Sequence, residues 1–141
     1  MARAIDFYCN VMGGEVQRQV GWEKGSAVEI DKRLGLEKSG AKVAVIRLGA
    51  SYVELFEYSS PPPKPKPEGE LASDLGIRHI CFVVDDCVGE YERLKALGVH
   101  FNAPPYNSGS GMVFTYGRDP DGNLFELLEI SKTNDFPNNY A

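Results

Sequence analysis

Three side chains in this chain of 141 residues have the type and spacing to do acid–base or metal chemistry. Glu54 sits in SYVELFEY, where strand alternation gives it one face with Tyr52, Phe56 and Tyr58. His79 sits in RHICFVV, in phase with Cys81 and Val83, and Glu126 in NLFELLE, in phase with Leu124 and Leu128. An acid among three aromatics is out of place on a solvated strand face and in place on a cavity wall that holds a cation, because an uncompensated carboxylate there is costly. Two carboxylates and an imidazole, each at a strand centre, form a donor set suited to a hard-to-borderline divalent metal. Taken singly, each residue also has an ordinary explanation as a solvated carboxylate or a satisfied structural histidine. Their corresponding places in a repeated pattern favour the site.

The elements that must position these residues follow from hydrophobic period and turn chemistry. In the second half, residues 76–84 (GIRHICFVV) read as a strand, and Asp85-Asp86 can cap a helix that buries Val88, Tyr91 and Leu94 and ends at Gly98. A short strand at 99–102, a Pro- and Gly-rich loop at 103–111, a strand at 112–118, a tight turn at 119–122 and a last strand at 123–130 complete a βαβββ order. The first half opens on a helix whose apolar stripe is Ile5, Tyr8 and Met12, flanked by Ala4, Phe7 and Val11, with Gly13-Gly14 as its stop. A strand at 15–22, a short helix within 27–36 and strands at 42–48 and 51–58 give αβββ. Aligning Gly13 with Gly98 sets an offset of about 85 residues, which carries the counterpart of His79 about six residues ahead of Met1. The expected architecture is an α+β domain over 1–141. It comprises module one at 1–58 without its leading strand, a Pro-rich linker at 59–75, module two at 76–131 and a tail at 132–141. Five prolines between Pro61 and Pro67 make the linker extended.

Composition removes several classes of function. Lys plus Arg total 15 against 20 Asp plus Glu, a net charge of −5 that gives no electrostatic reason to bind nucleic acid or an anionic membrane. Apolar runs such as 80–84 fall far short of the roughly 20 residues a spanning helix needs. Cys9, Cys81 and Cys87 are an odd set without a CxxC pair, which argues against a disulfide scaffold or zinc knuckle and fits a reducing cytoplasm.

The stretches RDPDGNLFELLE (118–129), GIRHICFVVDD (76–86) and RAIDFYCNVMGGE (3–15) together resemble the vicinal oxygen chelate superfamily. That group includes glyoxalase I, methylmalonyl-CoA epimerase, extradiol dioxygenases and the fosfomycin and bleomycin resistance proteins. The resemblance implies paired βαβββ modules whose mixed sheets curl around a metal cavity. In its four-ligand branch, Glu54 resembles the last-strand ligand of module one, with His79 and Glu126 the first- and last-strand ligands of module two. The fourth ligand, His or Gln, would precede Met1. Extradiol enzymes use two His and one Glu and leave the Glu54 position non-ligating, and bleomycin binders lack the ligands, so the pattern is closest to glyoxalase I or the epimerase.

The implied function is a metal-dependent lyase or isomerase holding Ni, Zn, Mn, Co or Fe. The metal would chelate vicinal substrate oxygens and stabilise an enediolate, with Glu126 as the base and Glu54 second. A non-catalytic, drug-sequestering binder is the alternative, and an extradiol-type dioxygenase comes third. Tyr52, Phe56, Cys81, Phe114 and Tyr116 are expected to line the substrate cavity, with Cys81 as a small buried filler. Arg47, Arg118 and Lys132 are too scattered to form a site for glutathione carboxylates or a CoA phosphate, NSGSG (107–111) reads as a loop, and His100 as an exposed strand residue. A homodimer taking a small-molecule ligand is expected.

Overall fold

The computed structural model describes residues 1–66 and 71–131; the end of the linker at 67–70 and the tail at 132–141, with Lys132, lie outside the described residues. The chain divides into two compact units, Met1–Glu70 and Leu71–Ala141. Each unit combines helix with a sheet, an α+β architecture. No helix among the described residues is long and apolar enough to cross a membrane.

In the first unit, helix α1 (Ala2–Asp6) runs directly into a π-helical turn, Phe7–Val11, in which the Met12 N–H donates to the Phe7 carbonyl at 2.9 Å. The wider turn moves the buried stripe to Ala4, Phe7 and Tyr8, leaving Ile5 and Met12 half-buried where the sequence pattern put them at its centre. Gly13, at φ +79°, ends the helix. Gly14 lets it lie close to the sheet, because a Cβ there would come within 2.6 Å of the Tyr8 carbonyl and 2.8 Å of an Ile46 methyl.

Strands β1 (Glu15–Trp22), β2 (Gly40–Leu48) and β3 (Ser51–Ser60) form an antiparallel sheet in that order, with α2 (Val28–Leu34) between β1 and β2 in sequence. Ala44 and Ile46 of β2 are buried, Ile46 completely, and the π-helical turn packs against β1 and β2. β3 extends two residues into the expected linker because Ser60 still has a partner across the ladder in Gly40.

In the second unit, β4 (His79–Val83) is shorter than the pattern suggests. Its ladder partner β8 (Leu124–Ile130) begins opposite His79, at Leu124, so residues 76–78 have no strand to pair with. Helix α3 (Cys87–Ala96) starts where the Asp86 carboxylate accepts from the Gly89 N–H at 2.8 Å, and Gly98 follows it at φ +87°. It buries Cys87, Tyr91 and Leu94; Val88, expected on that face, is 52% exposed because the helical phase set by Cys87, Tyr91 and Leu94 turns it outward.

The sheet continues with β5 (His100–Phe101), β6 (Tyr106–Asn107) and β7 (Met112–Arg118), in the order β4-β8-β7-β5, with β6 also on β7. β4 runs parallel to β8 and the remaining pairs are antiparallel. The segment expected to be a plain loop thus contains a strand, and NSGSG is a bonded hairpin end. The Gly109 N–H donates to Asn107 Oδ1 at 2.9 Å, and the Ser108 N–H to the Met112 carbonyl at 3.0 Å. The covered face of the sheet carries an aromatic chain, Tyr91 to Phe101 at 4.9 Å and Phe101 to Phe125 at 5.8 Å, both edge-on.

Candidate functional site

Strand phase gathers the chemistry of the second unit on the sheet face opposite α3. In register, Cys81 pairs with Glu126 and Glu126 with Tyr116, so three polar side chains form one row across β4, β8 and β7. His79 Nε2 lies 3.3 Å from Glu126 Oε2, and its ring meets Tyr116 edge-on at 5.4 Å, with Phe114 a further 6.0 Å beyond. The Glu126 side chain is only 13% exposed, against 40% for His79.

Cys81 is an exposed residue rather than a buried filler. Partial desolvation of its sulfur, then the charge and hydrogen bonding of Glu126, nevertheless push its thiol up to about 11. The Tyr116 phenol is raised as well, first by burial and then by Glu126. Both groups therefore keep their protons at neutral pH and face the carboxylate as donors.

The turn between β7 and β8 fixes where Glu126 falls. Asp119 is buried, and its Oδ1 accepts from the N–H groups of Asp121 at 2.9 Å and Asn123 at 2.7 Å, while Oδ2 accepts from Asn123 Nδ2 at 2.7 Å. Gly122 takes φ +78°, and Arg118 Nη1 donates to its carbonyl at 2.8 Å, so Arg118 braces the turn. The imidazole nitrogen and carboxylate oxygens of His79 and Glu126 suit a divalent ion by donor chemistry. Among the described residues, however, no three His, Cys, Asp or Glu side chains converge closely enough to hold one.

Glu54 belongs to the first unit, on β3. A β-bulge in β1 decides its neighbours. Val16 pairs with Ile46 and Arg18 with Val45, so Gln17 is the extra residue and every side chain after it changes face. The result is a set of cross-strand rows: Arg18, Val45 and Glu54; then Val20, Val43 and Phe56; then Trp22, Ala41 and Tyr58. Glu54 thus shares its face with Phe56 and Tyr58, as alternation predicts. Phe56 stacks on Tyr58 at 5.8 Å and meets Trp22 edge-on at 6.4 Å. Tyr52, 62% exposed, stands one row outside the groove that these side chains border.

That groove has a volume of about 410 Å³, with Val20, Val43, Val45 and Phe56 from the strands, Ile30 and Leu34 from α2, and Arg18, Arg33 and Glu54 as its charged members. It is within the size range of small-molecule sites. A buried polar chain fixes its Trp22 wall. Trp22 Nε1 donates to Ser39 Oγ at 2.8 Å, the Ser39 hydroxyl donates to Asp31, and the Ser39 N–H is shared between the two Asp31 oxygens at 3.1 and 3.2 Å.

Sequence reasoning missed Arg18, Trp22 and Arg33. A signal was present, since Arg18 alternates with Val20 and Trp22, but its sheet face depends on the bulge. Arg47 is an exposed surface charge paired with Glu15 at 2.7 Å, and His100 is exposed on β5; both agree with expectation.

With this geometry established, comparison with known proteins identifies the family. The profile of the Glyoxalase/Bleomycin resistance protein/Dioxygenase superfamily matches residues 1–127. The chain is 29% identical over 124 residues to the uncharacterized protein YaeR of Escherichia coli, covering 87% of this chain and 82% of that one. It is 28% identical over 135 residues to a lactoylglutathione lyase of Pseudomonas aeruginosa, covering 92% and 76%. Among solved structures, a glyoxalase family protein from Bacillus cereus shares the fold with a TM-score of 0.79 at 21% identity, covering 93% of this chain and 87% of that one. The chain belongs to the Glyoxalase/Bleomycin resistance protein/Dioxygenase superfamily.

Proposed function

We propose that the chain is a glyoxalase-like, metal-dependent lyase or isomerase acting on a small molecule with two adjacent oxygens. The observation that carries this reading is Glu126, largely buried at the centre of β8 with His79 Nε2 3.3 Å away. His79 and Glu126 would hold the metal, with Glu54 as a further ligand by the family's motif. When bound, a divalent ion of the set Ni, Zn, Mn, Co or Fe supplies positive charge to offset an enediolate.

The chain's own residues do the rest. Glu126 takes the proton from the carbon beside the carbonyl and returns it to the neighbouring carbon. His79 orients that carboxylate, and the protonated Tyr116 and Cys81 limit its rotation by donating toward it. The 28% identical lyase supports testing lactoylglutathione formation first.

Metal analysis of the purified protein, followed by that assay with each metal, tests the reading. Glu126→Gln should lose proton transfer while its circular dichroism stays native, and full activity in that variant would refute the assignment. The groove of about 410 Å³ favours a second reading, a non-catalytic small-molecule binder. No metal retained, and none restored by addition, would select it. The free cysteines Cys9, Cys81 and Cys87 support a reducing, cytoplasmic setting, and we propose a homodimer as the assembly.

A further inference from the structure

We infer that the groove of the first unit takes small amphipathic acids, an aryl or alkyl body bearing a carboxylate, and that Arg18 selects the acid over its neutral isostere. This deepens the proposed function by naming a substrate class, and rests on that reading only for calling the bound acid a substrate.

Four observations carry the inference. The bulge at Gln17 turns Arg18 onto the groove face, beside Val20 and across from Val45. Its guanidinium has no hydrogen-bond or ion-pair partner among the described residues, whereas Arg33, on the same groove, is already bonded to the Glu29 carboxylate at 3.0 Å. The surface between Arg18 and the α2 side of the groove is apolar, formed by Val20, Val43, Phe56 and Leu34. Glu54 stands in the same row as Arg18 but two strand spacings away, about 10 Å between backbones, with Val45 between them.

An uncommitted guanidinium at one end of an apolar groove pairs with a carboxylate through two parallel hydrogen bonds, while the rest of the ligand is desolvated on the valines and Phe56. The groove's aliphatic and aromatic walls suit an aryl or alkyl body better than a polar peptide.

The chain's single tryptophan, Trp22, lines this groove and reports on its occupancy. EDTA-treated, metal-free protein is titrated with 4-phenylbutanoate and, separately, with 4-phenylbutanamide, following Trp22 emission. The acid should bind at least about tenfold more tightly than the amide, the discrimination expected of a charge-assisted pair. Arg18→Gln should erase the preference, and Arg18→Lys, which keeps the charge but not the two parallel hydrogen bonds, should keep only part of it. Equal affinities in the wild type, a preference that survives Arg18→Gln, or no emission change with millimolar acid would each overturn the inference. Because the titration uses metal-free protein, a failure to bind metal would remove the catalytic reading and leave this one standing. Metal binding without acid preference would do the reverse.

Discussion

Replacing Asp31 by Ala removes the acceptor at the centre of the buried chain that fixes Trp22. Asp31 is 7% exposed and Ser39 is completely buried, so water cannot easily take over the lost bonds. The Ser39 N–H loses both of its acceptor oxygens and its hydroxyl loses its own acceptor, leaving one orphaned backbone donor and a hydroxyl free to rotate. An orphaned buried donor costs about 1–3 kcal/mol and a further lost hydrogen bond about 1 kcal/mol, for a total of about 2–4 kcal/mol. With a urea m-value of about 2 kcal/mol/M, the unfolding midpoint should fall by about 1–2 M.

The indole N–H bonds to the same hydroxyl, so the Trp22 wall should loosen at the same time and Trp22 emission shift to the red in the folded protein. Asp31→Asn, which keeps one carbonyl acceptor, should lose about half as much stability. Asp31→Ala within about 0.5 kcal/mol of wild type, the usual range for an inconsequential surface change, with Trp22 emission unmoved, would refute this account of the network.

Two further outcomes follow from the second unit. A Cβ on Gly117 would meet Phe125 Cζ at 2.4 Å and Phe101 at 3.0 Å, and Phe125 is held by Phe82 and Phe101. Gly117→Ala should therefore destabilise by about 1–3 kcal/mol in urea unfolding, and Phe125→Leu should cost less in that background than in the wild type. The Cys87 thiol, fully buried and pushed up to about 11 by burial and then by Glu129 and Asp86, should resist iodoacetamide at pH 8 until the chain is unfolded. Because its folded value lies above the ordinary 9.0, its contribution to stability is fully present below pH about 9 and lost as pH rises through about 11. Cys87→Val should flatten that alkaline decline in thermal melts.

Much of the local structure was legible because its causes are local. The Asp86 cap, the Gly13 and Gly98 stops and the turn from Asp119 to Gly122 each depend on one or two side chains and their own backbone. The alternation that puts Cys81 in phase with His79, and Tyr58 and Phe56 in phase with Glu54, is a property of any strand. Errors appear where a long-range partner decides the outcome. β4 starts at His79 because β8 begins opposite it, and β6 exists because β7 offers Phe114 and Val113 as ladder partners. The π-helical turn moved the first helix's buried stripe by redistributing one residue over the turn.

The sequence by itself determined most of the element types and the α+β class, since hydrophobic period, capping and turn chemistry act over a few residues. Only the tertiary structure decided which side chains meet. Ladder register put Tyr116 and Cys81 beside Glu126, and one extra residue at Gln17 put Arg18 over a groove instead of on the opposite face. The physical reason is that a strand's side chains alternate with a period of two, so a single inserted residue, unreadable without its pairing partner, reverses every face that follows.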